Sequence, residues 1–300
     1  MSNWLISLEG TPDGRVLALS LALMAAVLHA LFGALQKGRF DPWITRAAID
    51  ACYVVITAPF ALFIVPWPEP FMWPIFAGML VIHTVYKVLQ AMTYTRGAYT
   101  VVYPVVRGTG PLITVLVAGV VFQEVYAPLQ YLGVLMLSLG ILALGAYNLR
   151  YLTEGRDRLI SALGFATLTG VMVAVYTTYD AWGIRATADP FTFLAWFFML
   201  DGLFMPIATY HLWRNLPVQD IPPLMRRGIL GAFVALFSFG AIMLATRLDK
   251  VGEAAVLRET STVFAALIGW LVLGEKVGLA RALLMALIAA GAVVMEFGGT

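Results

Sequence analysis

Cysteine is all but missing: Cys52 is the only one in 300 residues. No internal disulfide can form, and no thiolate cluster is available to hold a metal. Histidine occurs three times, at His29, His83 and His211, and these lie far apart. The chain contains no His-x-x-Glu-His, no Gly-x-Ser-x-Gly elbow and no phosphate loop, so nothing points to an enzyme and no cofactor is implied. Charge is scarce as well. Asp, Glu, Lys and Arg make up 12% of the chain, where soluble domains carry about 25%. No basic run could track phosphates, so the net charge of +2 offers nucleic acid no purchase. Residues 1–15 lack the basic start and small-residue cleavage site of a signal peptide, and the apolar run that follows is expected to be retained.

What fills the sequence instead is apolar. Hydrophobic residues account for 61% of it and the mean hydropathy is +0.87, which describes an integral membrane protein surrounded by lipid. Spans of about 20 apolar residues are the unit to count. Ten are expected, at 16–36, 43–65, 71–94, 98–122, 127–148, 159–183, 190–213, 227–247, 252–273 and 277–297. Asp41-Pro42, Pro66–Pro70, Asp189-Pro190 and Pro222-Pro223 mark boundaries between them. The longest polar interruption falls at the midpoint. The chain therefore divides into an N-terminal segment (1–15), a five-helix unit (16–148), a linker (149–158) and a second five-helix unit (159–297). Lysine and arginine gather on one side of this arrangement, Lys37, Arg39, Arg156 and Lys276 among them, which places both termini outside.

The two units repeat one another. Shifted by 151 positions, Thr95–Glu124 lies over Thr246–Glu275 without a gap, and eight of the 30 pairs are identical; chance would give about two. One of the eight is Arg107 over Arg258, a charge kept inside an apolar run in both copies. An odd number of spans per unit inserts the copies in opposite senses, so the expected fold is an all-α membrane protein: ten transmembrane helices as a 5+5 inverted repeat around a central cavity. Intramembrane charge is costly unless it faces a wet or paired interior, which makes Arg107 and Arg258 the leading site residues.

Other polar groups sit at helical spacing. His83, Lys87, Gln90 and Tyr94 share one face of the third span, where they either line an aqueous path or satisfy one another. His29 and Gln36 mark the first span; under the 151-residue shift His29 falls on Asp180, and the two could pair and share a proton, or each could bond within its own unit. In the fourth span Tyr103-Pro104, Arg107-Gly108 and Pro111 predict a bent or broken helix. Glu259 beside Arg258 leaves open a purely structural ion pair. Arg46 and Asp50, at i and i+4, read as a helix-surface pair; Asp201, among aromatic residues, is expected to turn inward. Gly133, Gly140 and Gly291 read as scaffold or a dimer face.

The duplicated pattern of apolar helix, short acidic turn (Val121-Phe122-Gln123-Glu124 and Val272-Leu273-Gly274-Glu275) and glycine-bearing helix resembles the EamA-type ten-helix members of the drug/metabolite transporter superfamily. The Asp-Pro pairs before the second and seventh spans fit the same resemblance, which covers roughly residues 16–297. It implies alternating access to a central cavity, without specifying a substrate. Many relatives carry Glu-Pro where this chain has Glu259-Thr260, and the paired arginines depart from the generic pattern.

The expected function is a secondary transporter of a small anionic or zwitterionic organic solute across the inner membrane. Arg107 and Arg258 would hold acidic groups bidentately, Lys87 and His83 would add positive potential, and Tyr94, Tyr103, Tyr176 and Tyr179 would contact the apolar body. His29, Asp180 and Glu259 are the candidates for proton coupling. The expected partners are the solute and membrane lipid, with no nucleic acid, in a monomer or homodimer. The alternatives are an exporter of cations using Asp180, Asp201, Glu253 or Glu259, and a structural membrane protein.

Overall fold

The computed structural model describes residues 2–36, 40–97, 99–150, 158–271 and 278–299. Lys37, Arg39, Arg156, Lys276, the Val272–Glu275 turn and most of the 149–158 linker lie outside the described residues. Among those described, every regular element is helical: α1 (Ser2–Ser7), α2 (Pro12–Gln36), α3 (Pro42–Phe63), α4 (Met72–Arg96), α5 (Tyr99–Val121), α6 (Pro128–Leu149), α7 (Leu159–Ala186), α8 (Pro190–Asp201), α9 (Phe204–Ala208), α10 (Tyr210–Arg214), α11 (Ile221–Leu248), α12 (Val251–Glu259), α13 (Ser261–Leu271) and α14 (Leu279–Phe297). Nine stretches of described residues are long and apolar enough to cross a membrane. The ninth expected span is instead two short helices, α12 and α13.

Asp-Pro opens a helix in each half of the chain. Asp41 accepts from the Trp43 N–H at 2.8 Å and Asp189 from the Phe191 N–H at 3.0 Å, with proline at the first helical position in both. Proline has no N–H to leave unsatisfied there, and the carboxylate caps the donor that follows. Asp189 also accepts from Ser2 Oγ at 2.7 Å and Thr192 Oγ1 at 2.8 Å. Partial burial works against its charge, yet these hydrogen bonds hold its carboxyl below the usual carboxylate range. A lowered pKa means stability that is present at neutral pH and lost as pH falls through the folded-state value. Asp189→Asn should therefore cost about 1 kcal/mol at pH 7, and the gap to wild type should shrink below about pH 4. Melting curves across that range in detergent would show it; a gap independent of pH would refute the account.

Breaks occur where the backbone must open. Pro206 cannot donate to the residue four before it, and its ring crowds that carbonyl, so the expected seventh span is interrupted between Asp201 and Phe204. Gly202 is needed at this break: a Cβ there would meet the Asp50 carbonyl oxygen at 2.6 Å. At Thr260 the helix breaks without proline. Thr260 Oγ1 bonds back to the Leu257 carbonyl at 2.6 Å and the chain resumes as α13. The fourth span is not broken, because α5 runs as one helix through Pro104 and Pro111. Gly108 does allow a close approach, with its missing Cβ 3.2 Å from the Ser138 carbonyl of α6.

Gly133, Gly140 and Gly291 bring α6 and α14 together; a Cβ on Gly291 would lie 2.6 Å from the Leu137 amide nitrogen. These glycines are scaffold within one chain. α2 packs chiefly against α11, where Ser238 Oγ donates to the Ala25 carbonyl at 2.9 Å. α7 packs against α4 and α5, and α12 against α5 and α2.

One end of the bundle is closed by polar contacts between the two halves. Glu124 of the α5–α6 turn accepts from the Val251 N–H at 2.9 Å, pairs with Arg185 at 3.3 Å and takes the Tyr126 hydroxyl. The Tyr126 phenol is pushed up by burial and by that carboxylate. Lys250, at the N-cap of α12, makes no side-chain cap of its own; Glu124 supplies the anion that the start of a helix favours. Glu124→Gln should lower stability by about 1–2 kcal/mol, measured as a fall in melting midpoint; an unchanged midpoint would show the cap to be idle.

Candidate functional site

Two buried ionic networks meet at the centre of the bundle. The first is built on α4. Lys87, 1% exposed, reaches Asp50 Oδ2 at 2.7 Å, Asp201 Oδ1 at 2.9 Å and the Asp201 carbonyl at 2.6 Å. That carbonyl is available because α8 ends at Asp201. Asp50 also takes Arg46 Nε at 2.8 Å. The expected surface pair of Arg46 and Asp50 is thus a buried pair, because α3 turns this face toward α4 and α8. One turn before Lys87, His83 lies between two carboxylates: its Nε2 is 3.0 Å from Asp180 Oδ2 and its Nδ1 is 3.4 Å from Asp201 Oδ1.

The second network joins the repeated arginines. Arg107 Nη1 donates to Glu259 Oε1 at 3.1 Å, and Arg258 Nε to the same oxygen at 3.3 Å. All three side chains are buried. Arg107 Nη2 also contacts His29 Nε2; a guanidinium only donates, so this nitrogen accepts. The expected pairing of His29 with Asp180 does not form. Asp180 is taken by His83, whereas His29 stands on α2 among Phe32 and Phe239 with Arg107 at its ring nitrogen. Arg258 lies over the Tyr176 ring at 5.9 Å, and its Nη2 makes one long bond of 3.4 Å to Thr177 Oγ1.

Between the networks is a void of ≈ 10 Å³, lined by Tyr176, Thr177, Asp180, Phe239, Ile242, Met243, Thr246 and Arg258. It has room for about one water. The void thus has a carboxylate and a guanidinium in its walls. Tyr176 Oη, in a side chain only 2% exposed, has no hydrogen-bond partner among the described residues.

The polar stripe of the third span does not line an aqueous path in this structure. His83 and Lys87 are held in the first network and Gln90 donates to Tyr86 Oη at 2.8 Å. Tyr94 is half-buried on the same helix; the Tyr103 ring lies beneath Arg107 at 5.3 Å. Tyr179 donates to the Ile75 carbonyl at 3.0 Å, away from the void. Asp201 turns inward as expected. Glu253 pairs with Lys250 at 3.1 Å and Gln130 at 2.7 Å, toward the closed end. Thr177 carried no signal in the sequence, and Arg46 and Asp50 stood out as a charged pair inside an apolar span but were assigned to the helix surface.

Comparison with known proteins follows this geometry. Residues 160–297, a little under half of the chain, match the model of the EamA-like transporter family. With nine stretches of described residues long and apolar enough to cross a membrane, the protein is a multi-pass membrane protein. A crystal structure of one protein aligns with a TM-score of 0.73 over 95% of this chain and 98% of that one, at 18% identity, which establishes a shared fold along nearly the whole length. No curated protein matches the chain.

Proposed function

We propose that the protein is a secondary transporter that carries a small anionic or zwitterionic organic solute, such as an amino acid, across the inner membrane by alternating access. Its ten spans would form two oppositely inserted five-helix units. Helix packing supports the repeat: exchanging the halves turns the α2–α11 contact into α7–α4, α5–α7 into α12–α2, and α3–α11 into α8–α4. The observation that carries the solute class is Arg107 and Arg258 sharing the single carboxylate of Glu259 beside the void. Two cations on one anion concentrate positive potential at the void, which attracts an incoming acid group although the two networks together are balanced in charge. The planar fork of Arg258 suits a carboxylate or sulfonate. A ligand pocket occupies roughly 300–1,000 Å³, so binding at a void of ≈ 10 Å³ requires the helices around it to part, as alternating access demands.

Asp180 in the same wall supports a second reading, an exporter of cations. A thermal-shift screen of purified protein against amino acids, carboxylates, sulfonates, phosphonates and quaternary ammonium compounds separates the two. At 100 times its dissociation constant a ligand adds about 2.7 kcal/mol. Shifts from acids and amino acids are expected; shifts from quaternary cations alone would transfer the site to the second reading.

A further inference from the structure

We infer that His83 carries the proton that accompanies an anionic solute, so that one proton moves with a singly charged anion and none with a zwitterion. This rests on the carrier reading above and assigns the coupling within it.

The argument begins with a charge count. The two central networks hold four permanent cations, Arg46, Lys87, Arg107 and Arg258, against four carboxylates, Asp50, Asp180, Asp201 and Glu259. The core is balanced when both histidines are neutral. A buried net charge is costly, so an anion entering alone would unbalance it by one negative charge. Some group must take up a compensating proton. Asp50, Asp201 and Glu259 each already face a permanent cation, which favours their charged form, leaving His29 and the His83–Asp180 pair.

Position decides between them. His29 faces a guanidinium, with its Nε2 lone pair committed to Arg107; a proton there would meet a like charge and lose that bond. His83 has a carboxylate at each ring nitrogen. A neutral ring can donate to only one of the two, whereas imidazolium donates to both. Every polar neighbour bears on this. Asp180 and Tyr176 face His83 from α7, Asp201 from α8 and Tyr86 from its own helix. Lys87 and, through Asp50, Arg46 stand behind Asp201, and Arg258 lies across the void beyond Asp180. Lys87 already offsets Asp201, which leaves Asp180 as the carboxylate whose charge His83 meets directly. Asp180 also borders the void and so connects the histidine with the solute.

The proton balance is simple. Water on the entry side supplies a proton to the free ring nitrogen of His83 as the anion occupies Arg258, and the core returns to neutrality. When the solute leaves, the imidazolium returns the proton to water on the far side. A zwitterion adds no net charge and needs no proton.

The test uses full-length protein in phosphatidylcholine–phosphatidylglycerol vesicles with a luminal pH indicator, and radiolabelled L-glutamate, L-lactate and L-glutamine as probes. Net entry of glutamate or lactate should acidify the lumen by one proton per solute, and glutamine by none. In His83→Gln and His83→Lys, whatever glutamate or lactate still enters should carry no proton, and accumulation driven by a pH gradient should be lost. Equal proton counts for glutamine and glutamate would overturn the inference, as would pH-driven accumulation undiminished in both variants. A proton still moved with each glutamate in either variant would also overturn it. Should His83→Gln fail to fold, the lysine variant and the proton counts decide. No flux of any probe through wild type would remove the carrier reading for these solutes, and the inference with it, whereas flux with the wrong proton count removes the inference alone.

Discussion

Replacing Lys87 with methionine should destabilise the protein by about 3–5 kcal/mol, the cost of breaking a buried ion pair by removing one partner. The ammonium satisfies three oxygens at 2.6–2.9 Å: both carboxylates, Asp50 and Asp201, and the carbonyl left open where α8 ends. Methionine preserves most of the volume, so packing loss contributes little. What remains is two acids in an apolar interior, with Arg46 partnering only Asp50. Because the three groups belong to α3, α4 and α8, their loss loosens the contact among three spans rather than one side chain. Chemical or thermal unfolding in detergent would measure it. Adding Asp201→Asn to Lys87→Met should recover part of the loss, since the second change removes one stranded charge. A single-variant cost below about 1 kcal/mol would mean that water reaches this network and that the site is far wetter than its burial indicates.

Arg258→Ala should abolish ligand-induced stabilisation and lower solute flux on the order of 100-fold, as expected when one partner of a desolvated charge pair is truncated. Arg258 is the guanidinium that borders the void, and among the described residues its Nη2 has one hydrogen bond, 3.4 Å to Thr177 Oγ1. Arg258→Lys keeps the charge but not the planar fork, and its effect should fall between wild type and alanine. Arg107 stands one step back, bonded to Glu259 and His29. Its alanine variant should affect stability and flux together, because Glu259 then loses a partner. Binding curves and vesicle flux for the three variants check this ordering. Full ligand response in Arg258→Ala would end its assignment to the solute.

Much of this was legible before any coordinates. Span length and hydropathy read out the membrane class and most helices, because a lipid environment leaves the backbone few alternatives to intrahelical bonding. The duplicated Arg107 and Arg258 stood out because charge in an apolar run is costly, and both are indeed buried at the centre. Asp-Pro correctly announced helix starts at Pro42 and Pro190, through capping chemistry that acts over only three residues.

Partner choice was not legible. The shift of 151 positions paired His29 with Asp180, yet His83 occupies that carboxylate. The repeat relates positions, whereas a hydrogen bond depends on where two different helices cross. Arg46 and Asp50 satisfied a local i, i+4 rule and read as a surface pair; only the packing of α3 against α8 and α11 shows that they are interior. The proline-bearing α5 stays continuous and the proline-free Thr260 breaks, since neighbouring helices and a side-chain bond to Leu257 outweigh local propensity at both places.

The sequence by itself determined the solvent of this protein and the presence of costly charges, Arg107 and Arg258, inside its apolar runs. Those follow from composition and from spacing along one chain. Tertiary structure alone decided that four cations and four carboxylates gather into two networks, that His83 lies between two acids and that Arg258 faces the void. The reason is physical: burial and ion pairing are properties of helices in contact, and a charge acquires its partner only when a second helix brings one within about 3 Å.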